Sequence, residues 1–443
     1  MMKKLLIFAL AVFAVITLVG CNGEKPLLIW VGTESVDFYT DKMTEYVNTY
    51  NAAHEEDFPY EISILGVDTG SAAATFLDDT DAGADIFTVA HDNLGKLISG
   101  SSAIAPVTNT ALLAQIAADN SESFQEAIKG SVSGTEYTFG VPYIAQSLVL
   151  FYNTAYISET QVQTWEGILA AAKTANKQAV SLTGNDGYNN SFLLLARNKT
   201  TLTSSLRLYE GGVLENCAGT GDDIVSILKW GQRFFTDANG AKMPTDSGWE
   251  VELKNGISLS VITGAWKYKA AQAALGSNLG VAILPSFTIT AEDAYGTVTA
   301  GTEFWSGSFT DTKMFVMKKG SEKAAYLEDI LLFLSSKEVQ EASFVLADNL
   351  PAYKNALTEF EAMQEDTLDA QVAVAQLEMF AHGMPQPFGK SSKFNFYYYS
   401  KSAPDLINDI LTNKDSLYTS LSAIKDQMVI VERIWKTGSK DVE

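Results

Sequence analysis

The chain has 443 residues, 47% of them hydrophobic, with 31 basic and 53 acidic side chains and a formal charge of −22. That length exceeds one ordinary domain, so two are expected, and the apolar content excludes global disorder. The charge excludes nucleic acid as a natural partner and disfavours adsorption to an anionic membrane surface.

Met1 to Gly20 reads as a signal peptide. Lys3 and Lys4 precede an apolar run from Leu5 to Val19 that is short for a membrane span. The run ends in Leu18-Val19-Gly20-Cys21, a small residue before a thiol that can receive a lipid. Residues 21–26 are then a lipidated tether holding the mature protein on the outer face of the cell membrane. The competing reading is an ordinary signal peptide with an incidental Cys. With Cys21 lipidated, only Cys217 remains, so no intrachain disulfide is expected. Losing Lys3 and Lys4 takes the charge from −22 to about −24.

Beyond the tether, Leu27 to Val31 (LLIWV) is a continuous apolar run, as in a strand buried on both faces. Met43, Tyr46, Val47 and Tyr50 recur at helical spacing, which predicts a helix from Asp41 to Ala53. Further strands are predicted at 61–65, 85–89, 148–152, 179–182, 257–262, 281–284 and 314–317, with helical stretches between most of them. Alternation of this kind argues α/β with mostly parallel sheets. The last third turns helical. Ser321 caps a helix through Leu334, and Ser335 with Glu338 offers a capping box for a helix to Ala347. Thr367 to Ala381 and Asp405 to Thr412 are also read as helices. Pro is sparse, at 10, and no linker stands out, so the two domains share a tight interface or several crossings.

Motifs of catalysis are mostly missing. The three histidines, His54, His91 and His382, form no H-E-x-x-H pairing, and no G-x-S-x-G elbow occurs. Gly383 to Ser391 (GMPQPFGKS) is one residue too long for a P-loop and follows no predicted strand. Asp79 to Gly83 reads as a solvated turn in preference to a calcium loop. No metal and no cofactor are expected. A pair of carboxylates for glycoside hydrolysis is not excluded, because such pairs come from distant strands.

Six segments, in order, resemble the family 1 extracellular solute-binding proteins of ABC importers, closest to the maltose/maltodextrin-binding lipoproteins. They are 27–32 (LLIWVG), 84–95 (ADIFTVAHDNLG), 140–153 (GVPYIAQSLVLFYN), 164–166 (TWE), 262–266 (ITGAW) and 280–285 (GVAILP). The resemblance implies a periplasmic-binding-protein-like α/β fold, two lobes joined by a multi-strand hinge around a ligand cleft. It places 27–143 with 300–340 in the first lobe and 146–296 with 345–443 in the second. The hinge is expected near 141–147, 297–301 and 338–347. It implies a monomeric, non-enzymatic receptor that delivers a carbohydrate, a maltodextrin-like oligosaccharide, to ABC permease transmembrane subunits.

Sugars stack their apolar faces on aromatic rings and offer hydroxyl rims to polar side chains. By resemblance, Trp266 is the first stacking residue, with a core Trp as the competing reading. Asp92 matches a hydroxyl-binding Asp and also suits a helix N-cap. Glu34 lies just past the first strand among expected polar contacts, and Gln146 stands where an acid can occur. Asn93 replaces a common Arg. Tyr188 matches a second stacking ring, and Tyr397 and Tyr398 are chosen from the cluster 394–399 (FNFYYY). Val89 replaces a Trp found in maltodextrin binders, which points to a different or shorter oligosaccharide. The alternatives are a surface glycosidase, a receptor for a non-sugar solute and an adhesion lipoprotein without a cleft.

Overall fold

The computed structural model describes residues 25–437 except 101, 186, 203–208, 211–212, 215–220, 245–247, 348, 355, 357, 359–366, 385 and 387–401. Residues 1–24, with Cys21, and also Cys217, Tyr397 and Tyr398, lie outside the described residues. No helix among the described residues is long and apolar enough to cross a membrane.

The strands that matter for the site are β1 (Leu27–Val31), β2 (Ile62–Gly66), β3 (Ile86–Ala90), β4 (Ile104–Ala105) and β5 (Gly140–Gln146). They are followed by β6 (Leu148–Asn153), β7 (Val180–Leu182), β8 (Ala241–Lys242), β9 (Ser260–Gly264) and β10 (Leu279–Ala282). Late in the chain come β11 (Ser308–Phe309), β12 (Asp311–Lys318) and β13 (Gly383–Met384). Each apolar run predicted as a strand starts within three residues of one of these. The first sheet has the order β2-β1-β3-β12-β4, with β5 also paired to β12. The second has the order β8-β7-β9-β6-β10.

The sheets are mixed, and the expectation of mostly parallel pairing is corrected. β1 runs parallel to β2 and β3, but β12 is antiparallel to β3, β4 and β5. In the second sheet β7 pairs in parallel with β8 and β9, whereas β6 is antiparallel to β9 and β10. The reversed strands adjoin the crossings between sheets, where the chain enters from the opposite end. Each sheet anchors its own apolar cluster, one around Ile29, Phe87, Phe315 and Leu331, the other around Phe151, Trp165, Ile262 and Met428.

Helix α1 (Val36–Ala53) starts earlier than its periodicity predicts. Phe38 and Tyr39 have modest helix propensity, but both are buried in the first core, and packing decides. Helices α2 (Ala324–Leu334) and α3 (Lys337–Ala347) follow β12. The cap of α3 sits one residue later than expected. Ser336 Oγ accepts the Val339 N–H at 3.4 Å, while Ser335 Oγ donates to the Leu331 carbonyl at 2.7 Å. Helices α4 (Leu368–Glu378), α5 (Ser402–Leu411) and α6 (Leu421–Thr437) complete the helical last third, with Thr367 Oγ1 capping α4 at the Ala370 N–H.

One buried acid ties the first body together. Asp85 accepts from the Leu28 N–H at 3.0 Å and the Ser321 hydroxyl at 2.7 Å, and it pairs with Lys323 Nζ at 3.0 Å. Segments distant in sequence meet on one carboxylate. A buried charge so paired and hydrogen-bonded is tolerated, whereas an unpaired one is costly.

The chain passes between the bodies three times. β5 lies in the first sheet and β6 in the second, so the first passage is at Ser147. Its hydroxyl donates to the Gln376 carbonyl at 3.1 Å, and the Leu148 N–H donates to Ser308 Oγ at 2.9 Å. The return is at Thr310, between β11 and β12. Residues 303–305 still pair with 197–198 and 286–288 beside the second body, so the strands change sheet later than the expected 297–301. The third passage follows α3, which packs on α1, and precedes α4, which packs on β6 and β10. It therefore falls past 338–347. On the way, Leu350 accepts the Ala145 N–H at 2.9 Å and Pro351 bridges to Ile144, fastening this passage to β5.

Candidate functional site

A cavity of about 220 Å³ opens between the bodies, lined by Ala90, His91, Asp92, Gln146, Tyr188, Trp266, Asp311 and Gln386. It lies at strand ends of both sheets, where α/β folds commonly bind ligands.

The first body supplies the polar wall. β3 ends at Ala90, and a 3₁₀ turn from His91 to Asn93 follows. The turn swings Asp92 towards the cavity and His91 inward, where it is 1% exposed. Asn93 is buried behind this wall. Its amide donates to Asp92 Oδ1 at 2.7 Å, and its carbonyl oxygen accepts from Lys96 Nζ at 3.2 Å. It braces Asp92 and does not line the cavity.

The floor comes from the crossing strands. Gln146 ends β5 and Asp311 begins β12, and the two face each other in register. Asp311 is buried, and its Oδ2 accepts from the Gln386 amide at 2.7 Å. His91 Nε2 lies 3.4 Å from Asp311 Oδ1 and 3.3 Å from the Gln386 carbonyl oxygen.

Burial dominates the electrostatics here. It pushes the Asp311 carboxyl up to about 7, against the lowering effect of the Gln386 hydrogen bonds. It also raises Asp92, an effect opposed by His91 and reinforced by the negative charge of Asp311. The His91 imidazole is held below its ordinary value by the same desolvation, which outweighs the charge of Asp92 and hydrogen bonding to the backbone of Gln386 and Thr312.

The second body supplies the aromatic wall. β9 ends at Gly264, and a 3₁₀ turn carries Trp266 out of the sheet. A Cβ on Gly264 would run into the indole, so glycine lets the ring lie back over the strand end. Trp266 is 49% exposed, which rejects its reading as a core residue. Tyr188 lies beside it with ring centroids 6.2 Å apart and 45° between planes, and it stacks in turn on Phe309 at 6.2 Å.

Of the residues singled out in the sequence, Trp266, Asp92, Gln146 and Tyr188 meet in this cavity. Glu34 does not line it. It sits in the exposed turn after β1, where its carboxylate accepts from the Thr33 hydroxyl at 3.3 Å. Tyr397 and Tyr398 lie outside the described residues. Three polar lining residues escape sequence reasoning. His91 falls inside the segment that carries Asp92 but matches no metal pattern, and Asp311 and Gln386 carry no motif at all. Among the described residues no group of three His, Cys, Asp or Glu side chains could hold a metal. The arrangement can grip a ligand between aromatic and carboxyl walls.

A sequence profile described as bacterial extracellular solute-binding protein matches residues 45–375, well over half of the chain. No curated protein sequence matches. Among solved structures, the maltodextrin-binding protein MalE1 from L. casei BL23, without ligand, is similar with a TM-score of 0.67 at 19% identity, covering 92% of this chain and 99% of that one. The maltose-binding periplasmic protein MalE from Listeria monocytogenes, in complex with maltose, gives a TM-score of 0.69 at 16% identity, covering 94% and 99%. A cyclo/maltodextrin-binding protein complexed with maltotetraose gives 0.68 at 19% identity, covering 94% and 99%. Structural agreement of this extent establishes a shared fold, the periplasmic-binding-protein-like arrangement described above. With the profile match across both bodies, the chain belongs to the bacterial extracellular solute-binding protein family.

Proposed function

We propose that this protein captures a short oligosaccharide in the cleft between its bodies and delivers it to the permease of an ABC importer, without chemistry of its own. The observation that carries this reading is a half-exposed Trp266, backed by Tyr188, facing the polar wall of Asp92, Gln146 and Asp311 across the cavity. A pyranose has the faces and rim for such a pair of walls: apolar C–H faces for the rings and hydroxyl donors for the carboxyls. The solutes named for the similar structures, maltose and maltotetraose, are of this class. The cavity volume, about 220 Å³, is below the usual range of about 300 Å³ upward for drug-sized ligands and suits one ring at a time.

The two bodies act as lobes, and the three passages between them form the hinge. Ligand that touches both walls binds the closed arrangement better than the open one and shifts the population towards it. Closed lobes present a composite surface to the permease. Cys21 carries the lipid that keeps the receptor at the membrane, and the protein works as a monomer.

The test is incubation with a panel of short oligosaccharides, followed by calorimetry and by product analysis. Saturable one-to-one binding with intact sugar supports the reading. Release of shorter sugars makes the protein a glycosidase, and no binding by any member removes the carbohydrate assignment.

A further inference from the structure

The carboxyl wall has more acid than a neutral sugar rim explains. Asp311 is 6% exposed and lines the cavity, and one of its oxygens has a firm partner in the Gln386 amide. The other, Oδ1, is buried and accepts no hydrogen bond among the described residues, its nearest polar neighbour being His91 Nε2 at 3.4 Å. Asp92 faces the same space and feels the negative charge of Asp311. The side chain that braces Asp92 is a neutral amide, Asn93.

Among the described lining residues, the ionisable nitrogens are those of His91 alone, and burial disfavours its charged form. Lys96, whose charge acts on Asp92, is held by Asn93 at 3.2 Å and does not line the cavity. Lys313, further along β12, lies in the field of Glu34 and Asp68 and does not line the cavity. Among the described residues, two acids thus face one desolvated space with no protein cation between them. Buried carboxylates in such a place are costly unless a cation pairs with them or a proton neutralises them.

We propose that this end of the cleft is a subsite for a protonated amine on the ligand, held between Asp92 and Asp311, so that the transported solute is an amino sugar. The proposal rests on the carbohydrate reading above and narrows it. An ammonium group brings three donors and a positive charge. It satisfies Asp311 Oδ1, offsets the repulsion between the two acids, and leaves the sugar ring to the Trp266 face, where a cation nearby is also favoured. Binding draws the Asp311 proton off, because the ammonium favours the ionised carboxyl.

Calorimetry of the whole chain with fully deacetylated chitotriose, N-acetylated chitotriose and maltotriose tests this. The expected result is affinity for the deacetylated trimer at least tenfold above the acetylated one at pH 6.5, with proton release visible as a dependence on buffer ionisation enthalpy. In Asp311→Asn the preference should fall to near unity and the proton release should vanish. Asp92→Asn should lower the preference as well, and a thermal melt of each variant checks that it folds. Equal affinity for the two chitotrioses in the unsubstituted protein overturns the amine subsite while leaving the carbohydrate reading in place. So does a preference that survives Asp311→Asn. Failure of all three sugars to bind overturns the carbohydrate reading and this inference with it.

Discussion

The two walls of the cleft are built on opposite principles. On the first body, His91 and Asp311 are packed to 1% and 6% exposure and fixed by neighbours on other segments. On the second, Trp266 stands 49% exposed at the tip of a short turn, with Tyr188 at its side. The polar wall is rigid and electrostatically strained before any ligand arrives, because acids have been taken out of water. The aromatic wall is relaxed but leaves apolar surface in water. A ligand that covers the ring and supplies donors to the acids relieves both costs at once. Neither wall alone gives that gain, which is why the site needs two bodies.

This contrast predicts that substitutions on the polar wall change stability and its pH dependence along with ligand preference, whereas those on the aromatic wall change affinity with little effect on stability. The largest effect is expected for Asp311→Asn. The native carboxyl titrates near 7 while an unfolded Asp titrates near its ordinary value, so the folded state holds more protons in between. Stability therefore falls as pH rises from about 4 to 7 and is level above that. At about 1.4 kcal/mol per pKa unit, the penalty at pH 8 is on the order of 4 kcal/mol. Asp311→Asn should recover much of it at pH 8 and almost none at pH 4, as read from denaturant melts at both values. A gap independent of pH would mean that Asp311 is not a strained acid.

Next comes Trp266→Ala. Loss of one stacked ring should weaken oligosaccharide binding by about 1–3 kcal/mol, roughly ten- to a hundredfold, in calorimetry. Its melting temperature should barely change, since so exposed a ring contributes little to the core. Unfolding on this substitution would contradict the division between the walls. Gly264→Ala is a finer probe. Its backbone is ordinary at φ −72°, but the new Cβ meets the indole, so the ring must tilt. Affinity should drop by about 1 kcal/mol, with Trp266 fluorescence shifted. Smallest is Tyr188→Phe, which keeps the stack on Phe309 and removes only the hydroxyl. That hydroxyl is buried, so affinity should change by less than about 0.5 kcal/mol, and calorimetry reads it directly.

Much of the architecture is written in local pattern. Leu27 to Val31 reads as a buried strand because five apolar residues in a row suit both faces of a sheet, and it is one. Strand direction is another matter. β6 and β12 reverse because they adjoin the passages between bodies, and no apolar run encodes that. The site divides in the same way. Asp92 and Trp266 sit in segments whose turn chemistry follows a strand, and both meet in the cavity. Asp311 is an ordinary acid in sequence, and only its register against Gln146 places it at the floor. Glu34 has the right neighbourhood at the end of β1, yet its turn leaves it exposed and away from the lining. Residues made functional by a distant partner are the ones that sequence reasoning misses.

The most direct test of the account is a calorimetric titration of the short-oligosaccharide panel into the unsubstituted protein and Trp266→Ala, side by side. The account predicts saturable one-to-one binding of at least one sugar, weakened at least tenfold by the substitution. Absence of binding across the panel, or equal affinity in the two proteins, would contradict it.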